Sequence, residues 1–308
     1  MALRRLTAPN DPSWRIEPTV DHVQTLPGGK RLGIAEFGPR GRLPIVYCHG
    51  FLGSRLEPGA AGQQRSCIIS FDRPSYGHST PQPDPSLAAW GSDASAAVDA
   101  LGVSTCVVAG SSAGAPYALA LAAALGEARV PRVVLAGGIA GHEVVETGGG
   151  TALVLGLLGR GGTPTSRLLR RLLRFALITG VDNALLRAIV SSEREALERL
   201  GLSPDVLRRR LLQSMRTGSR GRLEGALADA RLLSRPWDFD LGRVRSEVLV
   251  LHGAEDPVVP PSHAHWYKAH LRRARVEIVP GELHLSLCFR SARVMVDTAG
   301  AVGRRLPA

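Results

Sequence analysis

The chain has 308 residues, which suits one large α/β domain carrying an insertion, or two small domains. Hydrophobic residues make up 44% and aromatic residues only 5%, so a full core can be buried and must be built from Ala, Leu and Val; a globular class is what remains. The net charge of +11 raises nucleic acid or anionic lipid as partners, but no zinc-finger, RRM or KH signature accompanies it.

The stretch to about Pro18 is polar and interrupted by proline; it has Arg4 and Arg5 but no apolar segment and does not read as a signal peptide. Val20 to Leu26 and Arg31 to Phe37 flank Pro27-Gly28-Gly29-Lys30, the pattern of a β-hairpin. Short apolar runs then recur. Ile45 to Cys48 ends at His49-Gly50, Cys67 to Phe71 at Asp72, and Val107-Val108 leads into Gly110. Val133 to Leu135 leads into Gly137-Gly138, Val248 to Leu251 into His252-Gly253, and Val276 to Val279 into Pro280-Gly281. The runs are continuous rather than alternating, as in strands buried on both faces of a parallel sheet. Helical stretches separate them at Leu87 to Leu101, Ala113 to Leu125, His263 to Leu271 and Leu285 to Val302. This alternation predicts an α/β fold with a mostly parallel, doubly wound sheet.

The alternation breaks once. From about Gly138 to Arg235 there is no strand signal, only Gly-rich loop and Leu/Arg helices, which predicts an inserted helical cap. The expected organisation is a core over 1–137, the cap over 138–235 and the rest of the core over 236–308. Gly148 to Gly150 and Gly161-Gly162 read as joints at the start of the insertion. Between Arg160 and Arg235 there are 16 Arg and no Lys against 7 acidic residues, so most of the positive excess lies here and reads as a solvated face. Leu168-Leu169, Leu172-Leu173, Phe175 to Ile178 and Leu185-Leu186 supply an apolar face toward the core, while Arg167, Arg170, Arg171 and Arg174 point to water. A pocket roofed by such helices is expected to be mainly apolar and to take a small to medium hydrophobic acyl or alcohol moiety. Thr151 to Leu158 is too short to span a bilayer.

Gly110-Ser111-Ser112-Ala113-Gly114 matches G-x-S-x-G. The pattern is weak by itself, but here a β run precedes it and an Ala/Leu helix follows, the strand–turn–helix setting of a nucleophile elbow. A serine hydroxyl needs a base and an acid. In the chain order Ser, acid, His, Asp256 follows the strand ending at His252-Gly253, with Glu255 as the rival acid, and His284 follows the last strand. His263, His265 and His270 fall on a helix and read as exposed; His49 and His252 read as structural. A loop after the third strand donates one oxyanion N–H and the residue after the nucleophile the other, which names Phe51 and Ala113. Cys48, Cys67, Cys106 and Cys288 lack metal-like spacing and read as reduced thiols, which suits a cytoplasmic protein.

These residues carry a resemblance. His49-Gly50-Phe51-Leu52-Gly53-Ser54-Arg55 is similar to the oxyanion loop of the α/β-hydrolase superfamily, and Asp72-Arg73-Pro74-Ser75-Tyr76-Gly77-His78-Ser79 resembles its D-R-P-G-x-G-x-S loop, with Ser75 in place of the usual Gly. With the elbow and the late Asp and His motifs, the chain resembles a bacterial serine-nucleophile member over roughly residues 20 to 303. Members that open epoxides or displace halide carry Asp at the nucleophile position, so Ser112 argues against both. The resemblance implies hydrolysis of a carboxylic ester or thioester through an acyl-enzyme on Ser112, with no metal or organic cofactor. It leaves open a non-hydrolytic cyclase or lyase, or a ligand-binding receptor that kept the triad. The expected partner is a small-molecule substrate, with neither nucleic acid nor membrane, and with a homo-oligomer possible.

Overall fold

The central strands form where the sequence is continuously apolar, because only a sheet covered on both faces can bury such runs. The computed structural model describes residues 15–61, 67–82, 84–145, 165, 167–168, 171–172 and 181–305. Eight strands, β1 (Val20–Thr25), β2 (Arg31–Phe37), β3 (Ile45–Cys48), β4 (Ile68–Phe71), β5 (Val107–Ser111), β6 (Arg132–Ala136), β7 (Glu247–Gly253) and β8 (Ala274–Val279), make one sheet in the order β1-β2-β4-β3-β5-β6-β7-β8. β1 and β2 form the expected hairpin, and β2 meets β4 antiparallel. All other neighbours are parallel. β1 is one of the two edge strands, beside β8 at the other end, and is half-exposed, with Val20 and Val23 on the surface.

Alternate residues of each central strand point to opposite faces. Val46, Val108, Val133 and Val250 join one apolar cluster with Trp90 of α1 (Leu87–Ala100), Leu119 and Leu121 of α2 (Ala115–Leu125) and Tyr267 of α8 (Ser262–His270). Ile45, Val107, Val134 and Leu251 join the other, with Leu287, Met295 and Val302 of α9 (His284–Gly303). Helix α1 starts where Ser86 Oγ accepts from Ala89 N at 2.9 Å and Asp238 accepts from Leu87 N at 2.9 Å, two groups that satisfy otherwise unpaired donors.

Between β6 and β7 the described residues hold no strand; the α-helices are α3 (His142–Val145), α4 (Val181–Ser192), α5 (Arg194–Arg199), α6 (Pro204–Ser219) and α7 (Glu224–Leu233). Leu186, Val190, Leu197 and Leu207 are buried against the α9 side of the core. Leu168 and Leu172 correct the expectation of an inward leucine face: they are 57% and 56% exposed, as Arg167 and Arg171 are exposed too. Spacing of four residues says that two side chains share a helix face, not which face is covered. Gly148 to Gly150, Gly161-Gly162, Leu169, Arg170, Leu173, Arg174 and Phe175 to Ile178 lie outside the described residues.

The order reverses at β3 and β5, since β4 lies on one side of β3 and β5 on the other. The carboxyl ends of β3 and β5 therefore mark the usual ligand position in open α/β sheets.

Candidate active site

The turn after β5 is tight. Ser112 sits at φ +52°, a left-handed conformation that costs a non-glycine residue on the order of 1–3 kcal/mol. Its neighbours must be small: a Cβ on Gly110 would lie 2.6 Å from the Gly114 carbonyl, and one on Gly114 would run into the Cys48 carbonyl of β3. The turn continues as a 3-10 helix over Ser112–Gly114, so α2 begins at Ala115 rather than at the expected Ala113.

Two other strand ends deliver the partners. Asp256 lies in the loop after β7, where its Oδ1 accepts Val258 N at 2.8 Å and Val259 N at 2.9 Å. Its Oδ2 lies 2.7 Å from His284 Nδ1, and His284 Nε2 lies 3.1 Å from Ser112 Oγ. Burial pushes the Asp256 carboxyl up, but the bonds from His284 and the two backbone N–H groups outweigh it and hold the group below the usual carboxylate range. An ionised Asp256 fixes the proton of a neutral His284 on Nδ1 and leaves Nε2 free to accept from the serine. His284 is the first residue of α9 rather than a loop residue. The exposed rival Glu255 accepts from Gly281 N at 2.7 Å and turns away from His284.

The loop after β3 lies against the elbow: a Cβ on Gly50 would touch Ser112 Cβ at 3.5 Å. Phe51 N–H has no acceptor among the described residues. His49 organises this loop, as expected: buried, it accepts from Arg73 N at 3.2 Å through Nε2, and its Nδ1 lies 2.9 Å from the Gly50 carbonyl. Burial, and then the Arg73 charge, push this ring well below its ordinary value. His252 is buried with Nε2 2.7 Å from the Val259 carbonyl. His265 and His270 are exposed as expected, but His263 is not. It is buried, accepts from Ala140 N at 2.9 Å, and is pushed down to about 4, first by burial and then by His252.

Three carboxylates around the site have no motif in the sequence. Asp229 of α7 pairs with Arg73 at 2.6 Å and accepts from Tyr76 Oη and Tyr117 Oη, both at 2.7 Å, while the Arg73 guanidinium lies over both rings. Glu193, between α4 and α5, accepts from Leu285 N at 3.0 Å and Ser286 N at 2.8 Å, and so caps the helix that begins with His284. Glu57 accepts from Gly50 N and from Tyr47 Oη. Ser75, where the resembled loop has Gly, takes φ +69°, and its Oγ accepts from Gln82 N at 2.8 Å. Among the described residues, no group of three or more His, Cys, Asp or Glu is placed to hold a metal, and no helix is long and apolar enough to cross a membrane.

A family model described as the alpha/beta hydrolase fold matches residues 44–290. An esterase from Rhodococcus sp. ECU1013 superposes with a TM-score of 0.64 at 20% identity, covering 92% of this chain and 99% of that one. A thermophilic esterase from Thermogutta terrifontis gives 0.61 at 18% identity over 92% and 98%. An esterase from Exiguobacterium antarcticum gives 0.63 at 16% identity over 91% and 100%. A search of curated protein sequences returns no significant match. At such identities the structural likenesses speak for the fold.

Proposed function

This chain belongs to the alpha/beta hydrolase fold family, and on that premise we propose that it is a serine hydrolase cleaving a carboxylic ester or thioester through an acyl-enzyme. The observation that carries this reading is the continuous hydrogen-bonded row from Ser112 Oγ through His284 to Asp256 Oδ2. Ser112 Oγ attacks the carbonyl carbon while His284 Nε2 takes its proton. Asp256 stabilises the imidazolium that forms, and His284 passes the proton to the leaving alcohol or thiol. Water, deprotonated by His284, attacks the acyl-enzyme in the second half-reaction. Phe51 and Ala113 N–H are the donors to the tetrahedral oxyanion, typically the largest electrostatic contribution to such chemistry.

The segment 138–235 acts in this proposal as a cap over the carboxyl ends of β3 and β5, with 1–137 and 236–308 as the core. The leucines of this segment other than the exposed Leu168 and Leu172 favour an apolar acyl or alcohol group, each well-buried methylene adding up to about 0.8 kcal/mol until the pocket is full. A series of p-nitrophenyl esters from acetate to decanoate tests this. The expected kcat/KM rises from two carbons to a maximum at intermediate length; a monotonic fall from acetate, or a preference for anionic esters, contradicts it.

A further inference from the structure

The proposed chemistry requires two backbone N–H groups to converge on one oxygen, and they come from different strands. Phe51 follows β3 and Ala113 follows β5. The ladder pairs these strands only as far as Cys48 and Gly110. Beyond that register no ladder bond joins the two loops; they touch at Gly50 and Gly114, and the remaining freedom between them is set by other contacts.

Tyr47 and Glu57 span the gap. Tyr47 Oη lies 2.8 Å from Ser111 Oγ and 2.7 Å from Glu57 Oε1. Tyr47 has one phenolic proton, and Glu57 Oε1 and Ser111 Oγ are both placed to accept it. Both Glu57 oxygens lie 3.0 Å from Gly50 N, which donates to them. A row of side chains thus connects the residue before the nucleophile to the residue before Phe51.

Its effect on the Phe51 N–H follows from peptide geometry. The peptide before Gly50 is held through its N–H by Glu57. The peptide after it is held through its carbonyl, which accepts from Arg73 Nη2 at 2.8 Å and Gly53 N at 3.1 Å. In a planar trans peptide the N–H points opposite to the C=O, so fixing the Gly50 carbonyl aims the Phe51 N–H the other way. Only the φ and ψ of Gly50 lie between the two pins, in the residue type with the widest freedom. Without Glu57 one pin is gone. The loop does not hold this shape by preference, since Leu52 sits at φ +60°. The carboxyl lies tight across it: a Cβ on Gly53 would run into Glu57 Oε2. Burial pushes the Glu57 carboxyl up despite the bonds from Tyr47 and Gly50, so the site accepts a desolvation cost that an apolar side chain would avoid.

We propose that Glu57, braced by Tyr47, is a positioning residue that holds the Gly50–Phe51 segment in register with the Ser112 elbow, so that Phe51 and Ala113 N–H meet at the oxyanion. The proposal rests on the serine-hydrolase reading above. The test compares wild type, Glu57→Leu, Glu57→Gln and Tyr47→Phe on p-nitrophenyl butyrate, together with inhibition by an alkyl trifluoromethyl ketone. In that inhibitor complex Ser112 Oγ adds to the ketone carbon, its proton goes to His284, and the carbonyl oxygen becomes the anion. Outright loss of an oxyanion donor costs about 10²–10³ in kcat, so a loosened donor in Glu57→Leu is expected to cost about 10- to 100-fold. KM stays within about threefold, as expected for an interaction made only in the transition state, and ketone affinity falls in step with kcat. Glu57→Gln, whose amide oxygen still accepts from Gly50 N–H, recovers most of the loss. Tyr47→Phe deletes one atom, keeps the ring, and costs a smaller factor in kcat.

An unchanged kcat in Glu57→Leu overturns the proposal. So does a loss that falls on KM instead, spares the ketone, or persists in Glu57→Gln. If Glu57→Leu fails to fold, Tyr47→Phe decides, and wild-type kcat in that variant is the overturning result. A wild type inert toward both ester and ketone overturns the serine-hydrolase reading instead. An active wild type with indifferent variants overturns the brace alone.

Discussion

The sheet and the helical segment between β6 and β7 are held by different kinds of contact. β3, β4 and β5 bury every residue, and apart from Ser70 and Ser111 their side chains pack into two apolar clusters. The helical segment adds leucines to one cluster, but it also docks through buried polar groups. Asp229 meets Arg73, Glu193 meets the start of α9, Ser54 N donates to Ser214 Oγ at 3.1 Å, and Ile16 N donates to Gln213 Oε1 at 2.8 Å. Apolar burial is non-directional and tolerates sliding; a buried hydrogen bond does not. The sheet contacts stabilise, and the polar contacts fix where the helices of this segment sit against the core.

That contrast breaks first at the chemistry, which the sheet alone should carry. Ser112→Ala is expected to lower ester turnover about 10⁴- to 10⁶-fold with the melting temperature nearly unchanged, and Asp256→Asn about 10⁴-fold by favouring the wrong tautomer of His284. Ser111→Ala and Glu255→Gln lose far less; a Glu255→Gln more damaging than Asp256→Asn would reassign the acid.

The next largest effect belongs to the docking contacts. Asp229→Ala leaves Arg73 charged, buried and facing two tyrosine rings, so urea unfolding should show a loss of about 3–5 kcal/mol. A loss below 1 kcal/mol would mean that water reaches Arg73 and that the contact fixes nothing.

Acid should act through the buried histidines. His263 protonates near 4 when folded, against about 6.5 when unfolded. As pH falls, the unfolded chain takes up the proton first. Stability therefore declines below about pH 6.5 and levels off near 4, with a slope of up to about 1.4 kcal/mol per pH unit from this group. His49 and His252, also shifted down, add in the same direction. Urea midpoints from pH 4 to 7 should show the slope, and His263→Asn should remove one proton's share of it.

The smallest effect is expected at Glu193. Glu193→Ala removes a charged cap from α9 and should cost roughly 1–2 kcal/mol. Because His284 is the first residue of that helix, kcat should fall with it, whereas a surface control such as Arg194→Ala should change neither.

The sequence exposes these regions unequally. Ser112, Asp256 and His284 are legible because each follows an apolar run that ends a strand, and the sheet order then brings three distant strand ends together. The strands were legible for the same reason. Glu57, Glu193 and Asp229 were not. Their partners are 7, 93 and 156 residues away, and no period links a carboxylate to a backbone N–H or an arginine at such distances. Glu57 alone left a trace, an acid just after the oxyanion loop. His263 was misread because α8 carries histidine, lysine and aromatic residues on several sides and has no clear apolar stripe to mark its inner face. Leu168 and Leu172 fail in the converse way: leucines at helical spacing imply a covered face only if something covers it.

The central claim is that Ser112 is a nucleophile activated by His284. Incubation with a fluorophosphonate, followed by intact mass and peptide mapping, tests it most directly. The account predicts one adduct per chain, on Ser112, formed rapidly in the wild type and absent from Ser112→Ala, and formed far more slowly in Asp256→Asn. No adduct on the folded wild type, or an adduct on Ser111 or another residue, would contradict it.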